Sequence, residues 1–289
     1  MIDTPPGAAA ILSQALPYIQ RLTGHTVVVK TGGRALADAE LARQIAGDVV
    51  LMHSVGVRCI LVHGGGPQIT ELLDRFGKAS EFSEGHRVTD AESLDITRMV
   101  LVGKVNRDIV SAINRHGPIA LGVSGEDVGL IVAEQRHPEL GFVGNVKTVN
   151  PHILQRLLAE QLVPVVATIG TDGAGQAYNI NADVVAGAIA AAVGAVKLIY
   201  VTDVDGLLSD VSDPGSLMSE VTSGGIEALV EGGTIQDGML PKLEGSLNAV
   251  HSGVTSVHII NAMTPHALLV ELFTDEGLGT MITSDQLED

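Results

Sequence analysis

The chain has no tryptophan, and aromatic residues make up only 2% of its 289 positions. A core of this size must then be built from Val, Ile, Leu and Ala. That composition suits parallel strands buried on both faces under closely packed helices. One cysteine, Cys59, excludes an intrachain disulfide. It lies in an apolar run, residues 57–62, where a structural thiol is expected rather than a reactive one, and a reducing cytoplasm is consistent with it. Basic residues are also scarce. Seventeen Lys and Arg face 34 Asp and Glu, for a formal net charge of −17. Such a surface repels nucleic acid and anionic membranes, so neither is an expected partner. The longest apolar stretch, residues 184–196, is mostly Ala and Gly and falls short of a membrane span. The first six residues lack the basic start and apolar core of a signal peptide. The expectation is a soluble, cytoplasmic protein.

Several chemical signatures are missing too. No Cys or His cluster has zinc-site spacing, so no metal-ligating residues are assigned. No Gly-x-Ser-x-Gly elbow is present, and Ser124-Gly125-Glu126-Asp127 has no evident partner histidine, which disfavours hydrolytic triads. Neither Gly-x-Gly-x-x-Gly nor the P-loop pattern occurs, which disfavours a dinucleotide-dependent dehydrogenase.

What is present is an alternation of strand and helix. It predicts an α/β fold with an open, mainly parallel sheet sandwiched by helices, in two lobes. Strands are expected over 26–30, 59–63, 119–123, 164–169, 197–202 and 256–260. Helices are expected over 37–55, 67–76, 151–160, 183–193, 238–252 and 265–273, with one long helix or two over 91–116. Residues 128–149 break the rhythm and read as an inserted β-hairpin. The Gly-rich turn 170–175 is the best lobe boundary. This divides the chain into an N-terminal helix (1–24), an N-lobe (25–175) and a C-lobe (176–289). The apolar positions of the first helix, Ile11, Ala15, Leu16, Ile19 and Leu22, fall near helical spacing. That stripe packs either on its own domain or on another subunit.

Two glycine turns follow predicted strands. His63-Gly64-Gly65-Gly66-Pro67 opens a helix, where free N–H groups favour an anion. Lys30-Thr31-Gly32-Gly33 puts a lysine beside amides that can reach the same phosphate, although a surface lysine at a turn is the plainer reading of it alone. Arg87 can grip a carboxylate bidentately, while Asp90 is explained by capping the next helix. Asn179, Asn181 and Asp183 alternate, so an extended segment would point all three one way. They are also N-cap candidates. Lys242 stands among apolar neighbours, where a snorkelling lysine is the bland alternative. Asp203-Val204-Asp205-Gly206-Leu207 ends a strand at the edge where α/β sheets bind nucleotides. Glycine turns, separated lysines and one acid argue for phosphoryl transfer.

In this order the motifs resemble those of acetylglutamate kinases in the amino-acid kinase family, over nearly the whole chain. Phe142-Val143-Gly144, Val149-Asn150-Pro151 and Gly277-Leu278-Gly279-Thr280 extend the resemblance. It implies ATP-dependent phosphorylation of the side-chain carboxylate of N-acetyl-L-glutamate, with Mg2+, in arginine synthesis. By that similarity Lys30 and Lys242 neutralise the phosphoryl group and Asp183 orients both. Gly65, Gly66, Arg87, Asn179 and Asn181 bind the substrate. Gly32, Gly33, Thr202, Asp203, Gly206 and Leu207 bind the nucleotide. The N-terminal helix with Pro17-Tyr18-Ile19 resembles that of arginine-inhibited hexameric members. This implies a homo-oligomer, at least a dimer and by similarity a hexamer, with Lys197, His266, Glu271 and Gly279 as arginine contacts.

Departures from the pattern are Thr31 and Arg34, where relatives often carry an aromatic and Asn, and Asn261-Ala262-Met263, where they often carry Asp-Gly-Arg. Alternatives are a kinase for a longer aminoadipate-type substrate, or a catalytically silent arginine-binding subunit. Retention of Lys30, Asp183 and Lys242 argues against the second.

Overall fold

The computed structural model describes residues 8–83, 85–210, 212–232, 235, 239–275 and 277–285, with side chains from residue 13 onward save 34 and 214. Asp237 and Gly238, a few residues before Lys242, lie outside the described residues, as does the side chain of Arg34.

An eight-stranded sheet forms the spine. Its order across the sheet is Glu220–Thr222, Thr280–Thr283, Ser256–Asn261, Lys197–Thr202, Thr26–Thr31, Arg58–His63, Val163–Ala167 and Ala120–Ser124. Every neighbouring pair is parallel except Ser256–Asn261 with Thr280–Thr283. The central strands are buried on both sides, as an aromatic-poor sequence with continuous Val and Ile runs requires. Val27, Val29, Cys59 and Leu61 pack into one apolar layer, while Val28, Ile60, Val62 and Tyr200 pack into the layer on the other face. Burial pushes the Cys59 thiol up to about 12, which makes it inert.

A second, smaller sheet closes on itself from Ile131–Gln135, Val143–Val149, Ile169–Thr171 and Ala177–Ile180. The expected hairpin is its first half, and Gly170–Gly175 lies at its second turn. The strand expected over 164–169 is therefore two strands that part at Thr168, each serving a different sheet. The helix expected over 37–55 starts later, at Ala39. Asp38 accepts from Glu40 N at 2.8 Å and Leu41 N at 3.1 Å, which fixes an N-cap there.

The 91–116 segment is continuous, running through Ala91–Arg98, a π-helical stretch Met99–Val105, and Asn106–Asn114. Asp90 caps it, accepting from Ser93 N at 2.8 Å. Glu220–Thr222, helix Ser223–Glu231 and the antiparallel strand Thr280–Thr283 had no sequence expectation. Their short or mixed patterns carry no period of their own. No described helix is long and apolar enough to cross a membrane.

Because the central strands run parallel, Lys30, His63 and Thr202 all end on one rim of the sheet. Open α/β sheets bind ligands at that carboxyl edge.

Candidate active site

Asp183 is the centre of the arrangement. It lies in the first turn of helix Ala182–Val193, where the helix dipole favours a carboxylate. Lys30 Nζ, from the end of Thr26–Thr31, is 2.8 Å from Asp183 Oδ1. Lys242 Nζ, from the first turn of helix Leu240–His251, is 3.1 Å from Oδ2. Burial pushes the Asp183 carboxyl up, but the two ammonium groups outweigh it and hold the group below its ordinary range. A fixed anion thus holds two cations side by side, with a summed charge that stays positive.

The expectation that Asn179, Asn181 and Asp183 share one extended face is corrected here. Strand Ala177–Ile180 ends before Asn181, whose Oδ1 caps the helix by accepting from Asp183 N at 2.8 Å. Asp183 enters the site from the first turn of the helix expected over 183–193, and so does not share an extended face with Asn179. Asn179 Nδ2 reaches Thr89 Oγ1 at 3.4 Å.

Of the Lys30–Asp183–Lys242 cluster, Lys30 lines a cavity of about 490 Å³, together with the glycines 32, 33, 64, 65 and 66, Arg87, Thr168, Asn179 and Asn181. Gly65 and Gly66 open helix Gly66–Arg75, whose first N–H groups lack intrahelical partners and suit an anion. A side chain at Gly65 would require Leu101 to shift, because a Cβ would lie 2.8 Å from Leu101 Cδ2 and 3.2 Å from Val105 Cγ2. Arg87 is buried at the far end. It donates to the Thr70 hydroxyl at 2.8 Å, the Gly66 carbonyl at 3.1 Å and the Ser80 hydroxyl, and lies 4.7 Å from the Phe82 ring centre. It forms no ion pair among the described residues, so a carboxylate ligand would find its charge uncompensated.

His63 holds the glycine turn from behind. It is fully buried, with Nδ1 3.0 Å from Gly64 O and Nε2 3.1 Å from Asn106 Nδ2. Burial pulls its imidazole down to about 4, so it is neutral and bonds Gly64 O through Nδ1–H.

The nucleotide candidates diverge. Thr202 and Asp203 end Lys197–Thr202 beside the rim. Leu207 is a core side chain whose N–H donates to Thr280 Oγ1 at 2.8 Å. Gly206 adopts φ 152°, and a Cβ there would run into Thr280 Oγ1 and lie 3.0 Å from Thr280 N, so backbone conformation and packing account for that glycine. Among the described residues no three His, Cys, Asp or Glu side chains could together hold a metal ion.

A separate cavity of about 460 Å³ gathers Lys197, Glu271 and Gly279 with Tyr18, Arg21, His258 and Asp275. Lys197 Nζ is 2.8 Å from His258 Nε2, and His258 Nδ1 is 2.5 Å from Glu271 Oε1. His266 does not join them. It adopts φ 54° and bonds Asp48 Oδ1 through Nδ1 at 2.6 Å. Sequence reasoning missed His258, because a lone histidine within an apolar strand reads as core. It also missed Thr70, Thr168 and Ser80, which are single hydroxyls without a pattern.

The parallel sheet, with paired lysines and a glycine turn opening a helix at its rim, has the charge and position that suit a phosphotransferase. The chain belongs to the amino acid kinase family, whose sequence profile matches residues 25–261. It is 47% identical over 293 residues to an acetylglutamate kinase of Pelotomaculum thermopropionicum, covering 97% of this chain and 99% of that one. It is 50% identical over 277 residues to an acetylglutamate kinase of Trichormus variabilis, covering 96% and 93%. Among solved structures it resembles N-acetylglutamate synthase from Neisseria gonorrhoeae complexed with coenzyme A and N-acetyl-glutamate, with TM-score 0.84 and 25% identity. That alignment covers 97% of this chain and spans 64% of the longer synthase.

Proposed function

We propose that this chain is an acetylglutamate kinase, transferring the γ-phosphoryl group of ATP to the side-chain carboxylate of N-acetyl-L-glutamate. The observation that carries this reading is the Lys30–Asp183–Lys242 cluster, joined through Lys30 to a cavity that Arg87 also lines. Identity of 47% to 50% with acetylglutamate kinases supports the choice of substrate.

The attacking carboxylate is already ionised, so no general base is needed. Arg87 receives the α-carboxylate of the substrate, and Asn179 and the Asn181 amide group lie on the adjacent wall. The Gly65 and Gly66 amides and the two lysines face the charge that spreads over the phosphoryl oxygens during transfer. Asp183 fixes the lysines before the substrate arrives, so little reorganisation remains at the moment of reaction. Magnesium would arrive on the nucleotide phosphates, because each oxygen of Asp183 is already held by a lysine. It would supply further charge neutralisation there. The nucleotide lies toward Thr202 and Asp203 of the C-lobe, with Gly32 and Gly33 of the N-lobe beside it, and the carboxylate substrate lies in the N-lobe. The protein works in the cytoplasm.

The second cavity is proposed to bind arginine as an inhibitor. Glu271 and Asp275 suit a guanidinium and Lys197 suits a carboxylate, with Tyr18 supplied by the N-terminal helix. The same helix is proposed to join subunits into a homo-oligomer, a hexamer by resemblance.

The test is ATP consumption with N-acetyl-L-glutamate, with hydroxylamine trapping of the acyl phosphate, repeated with arginine. Hydroxamate formation is expected, and arginine should suppress it. A folded protein that forms hydroxamate only with an aminoadipate analogue would overturn the substrate assignment.

A further inference from the structure

One buried hydroxyl next to the lysine cluster has no part in the chemistry above. Tyr200 is fully buried on Lys197–Thr202, where it is the register partner of Lys30 on the neighbouring strand. Its Oη donates to the main-chain carbonyl of Asp183 at 3.0 Å. Burial holds the phenol well above its ordinary value, so it remains a donor throughout the working pH range.

The surroundings of that bond are unusually tight. Helices Ala182–Val193 and Leu240–His251 cross where Gly187 meets Gly245. A Cβ on Gly187 would lie 2.8 Å from the carbonyl carbon of Gly245. A Cβ on Gly245 would lie 2.7 Å from Asp183 O and run into Tyr200 Oη. Ser246, the next residue, lies beside the same phenol and donates to Lys242 O at 2.7 Å. The phenol therefore touches the helix that carries Asp183, the helix that carries Lys242, and through its own strand the neighbour of Lys30.

We infer that Tyr200 is a positioning residue for phosphoryl transfer. Its hydroxyl, seated at the Gly187–Gly245 crossing, anchors the first turn of helix Ala182–Val193 so that both oxygens of Asp183 meet their lysines. Tyr200 does not line the substrate cavity, so it acts on the transition state through Asp183 and not on substrate affinity. This inference rests on the reading that Asp183 aligns the two lysines.

The test is a double-mutant cycle of Tyr200→Phe and Asp183→Asn, with kcat and KM measured for both substrates. Tyr200→Phe is expected to lower kcat about tenfold with both KM values within about twofold of the parent, as for a displaced catalytic group. In the Asp183→Asn background the same change should cost nothing further, because the group it positions is gone. An unaltered kcat in Tyr200→Phe, or a loss that multiplies in full with that of Asp183→Asn, would overturn the inference while leaving the site reading intact. An undiminished kcat in Asp183→Asn alone would overturn the site reading first. If Tyr200→Phe is too unstable to assay, Gly245→Ala keeps the hydroxyl but displaces it. It should show the same selective loss of kcat, and normal turnover in a folded Gly245→Ala enzyme would refute the role.

Discussion

Lys242 and Lys30 share one carboxylate, yet they arrive from elements more than 200 residues apart, the first turn of Leu240–His251 and the end of Thr26–Thr31. A cation held this way is already in place when charge develops on the phosphoryl oxygens. Lys242→Ala is therefore expected to lower kcat by about 10²- to 10³-fold, the usual cost of one such donor, with KM changed by only about threefold. Steady-state kinetics checks it, and equal losses in kcat and affinity would remove the transition-state role. His63 makes a pH prediction. Its ordinary value of 6.5 falls to about 4 in the fold. Between those values the unfolded chain binds a proton that the folded chain refuses. Its contribution to stability is therefore complete above about pH 6.5 and is lost as the pH falls toward 4. Melting temperatures across that window should fall, and the fall should be shallower in His63→Gln. Lys30, Gly65, Arg87 and Asp183 were legible as candidates because glycine turns and isolated charges stand out in a sequence poor in cations. Ser80 and Thr70, which fix Arg87, were not legible, since a hydroxyl acquires meaning only from the long-range contact it makes.

At the scale of elements, the π-helical stretch Met99–Val105 changes the phase of the helix it interrupts, and its Leu101 and Val105 occupy the space a side chain at Gly65 would need. The glycine turn is thus shaped from outside as well as by its own residues. Gly65→Ala should overpack this contact and displace the amide that faces the substrate, weakening N-acetyl-L-glutamate binding by about 1 to 3 kcal/mol. Calorimetric titration checks this, and unchanged affinity would show that Leu101 can yield. The strands and helices of the spine were readable from hydrophobic period. The split at Thr168 was not, because residues 163–169 are apolar but for Thr168 and only tertiary pairing assigns the two parts to different sheets. The helix carrying Asp183 was expected over 183–193, but the role of Asn181 was not evident: alternation and capping predict the same three residues, and the cap at Asn181 prevails.

Across the whole molecule, the N-terminal helix Ala8–Leu22 has a divided allegiance. Leu22 is buried in the core and Tyr18 and Ile19 pack against it, while Leu16 is 51% exposed. The sequence presented packing on its own domain and packing on another subunit as alternatives, and the helix offers a surface for each. Removal of residues 1–14 keeps the packed half. It is expected to reduce the assembly to dimers and weaken inhibition by arginine, with hydroxamate formation near the parent level. Analytical ultracentrifugation checks the assembly, and an unchanged sedimentation coefficient would confine the helix to its own chain.

The Phe82 ring that covers Arg87 has an optical consequence. It is 60% exposed, and it belongs to a chain without a single tryptophan. Phe82→Trp would place one indole over the guanidinium expected to receive the substrate carboxylate, against a background free of other indole emission. Occupancy of the site could then be followed by fluorescence on the timescale of binding itself, before any phosphate moves.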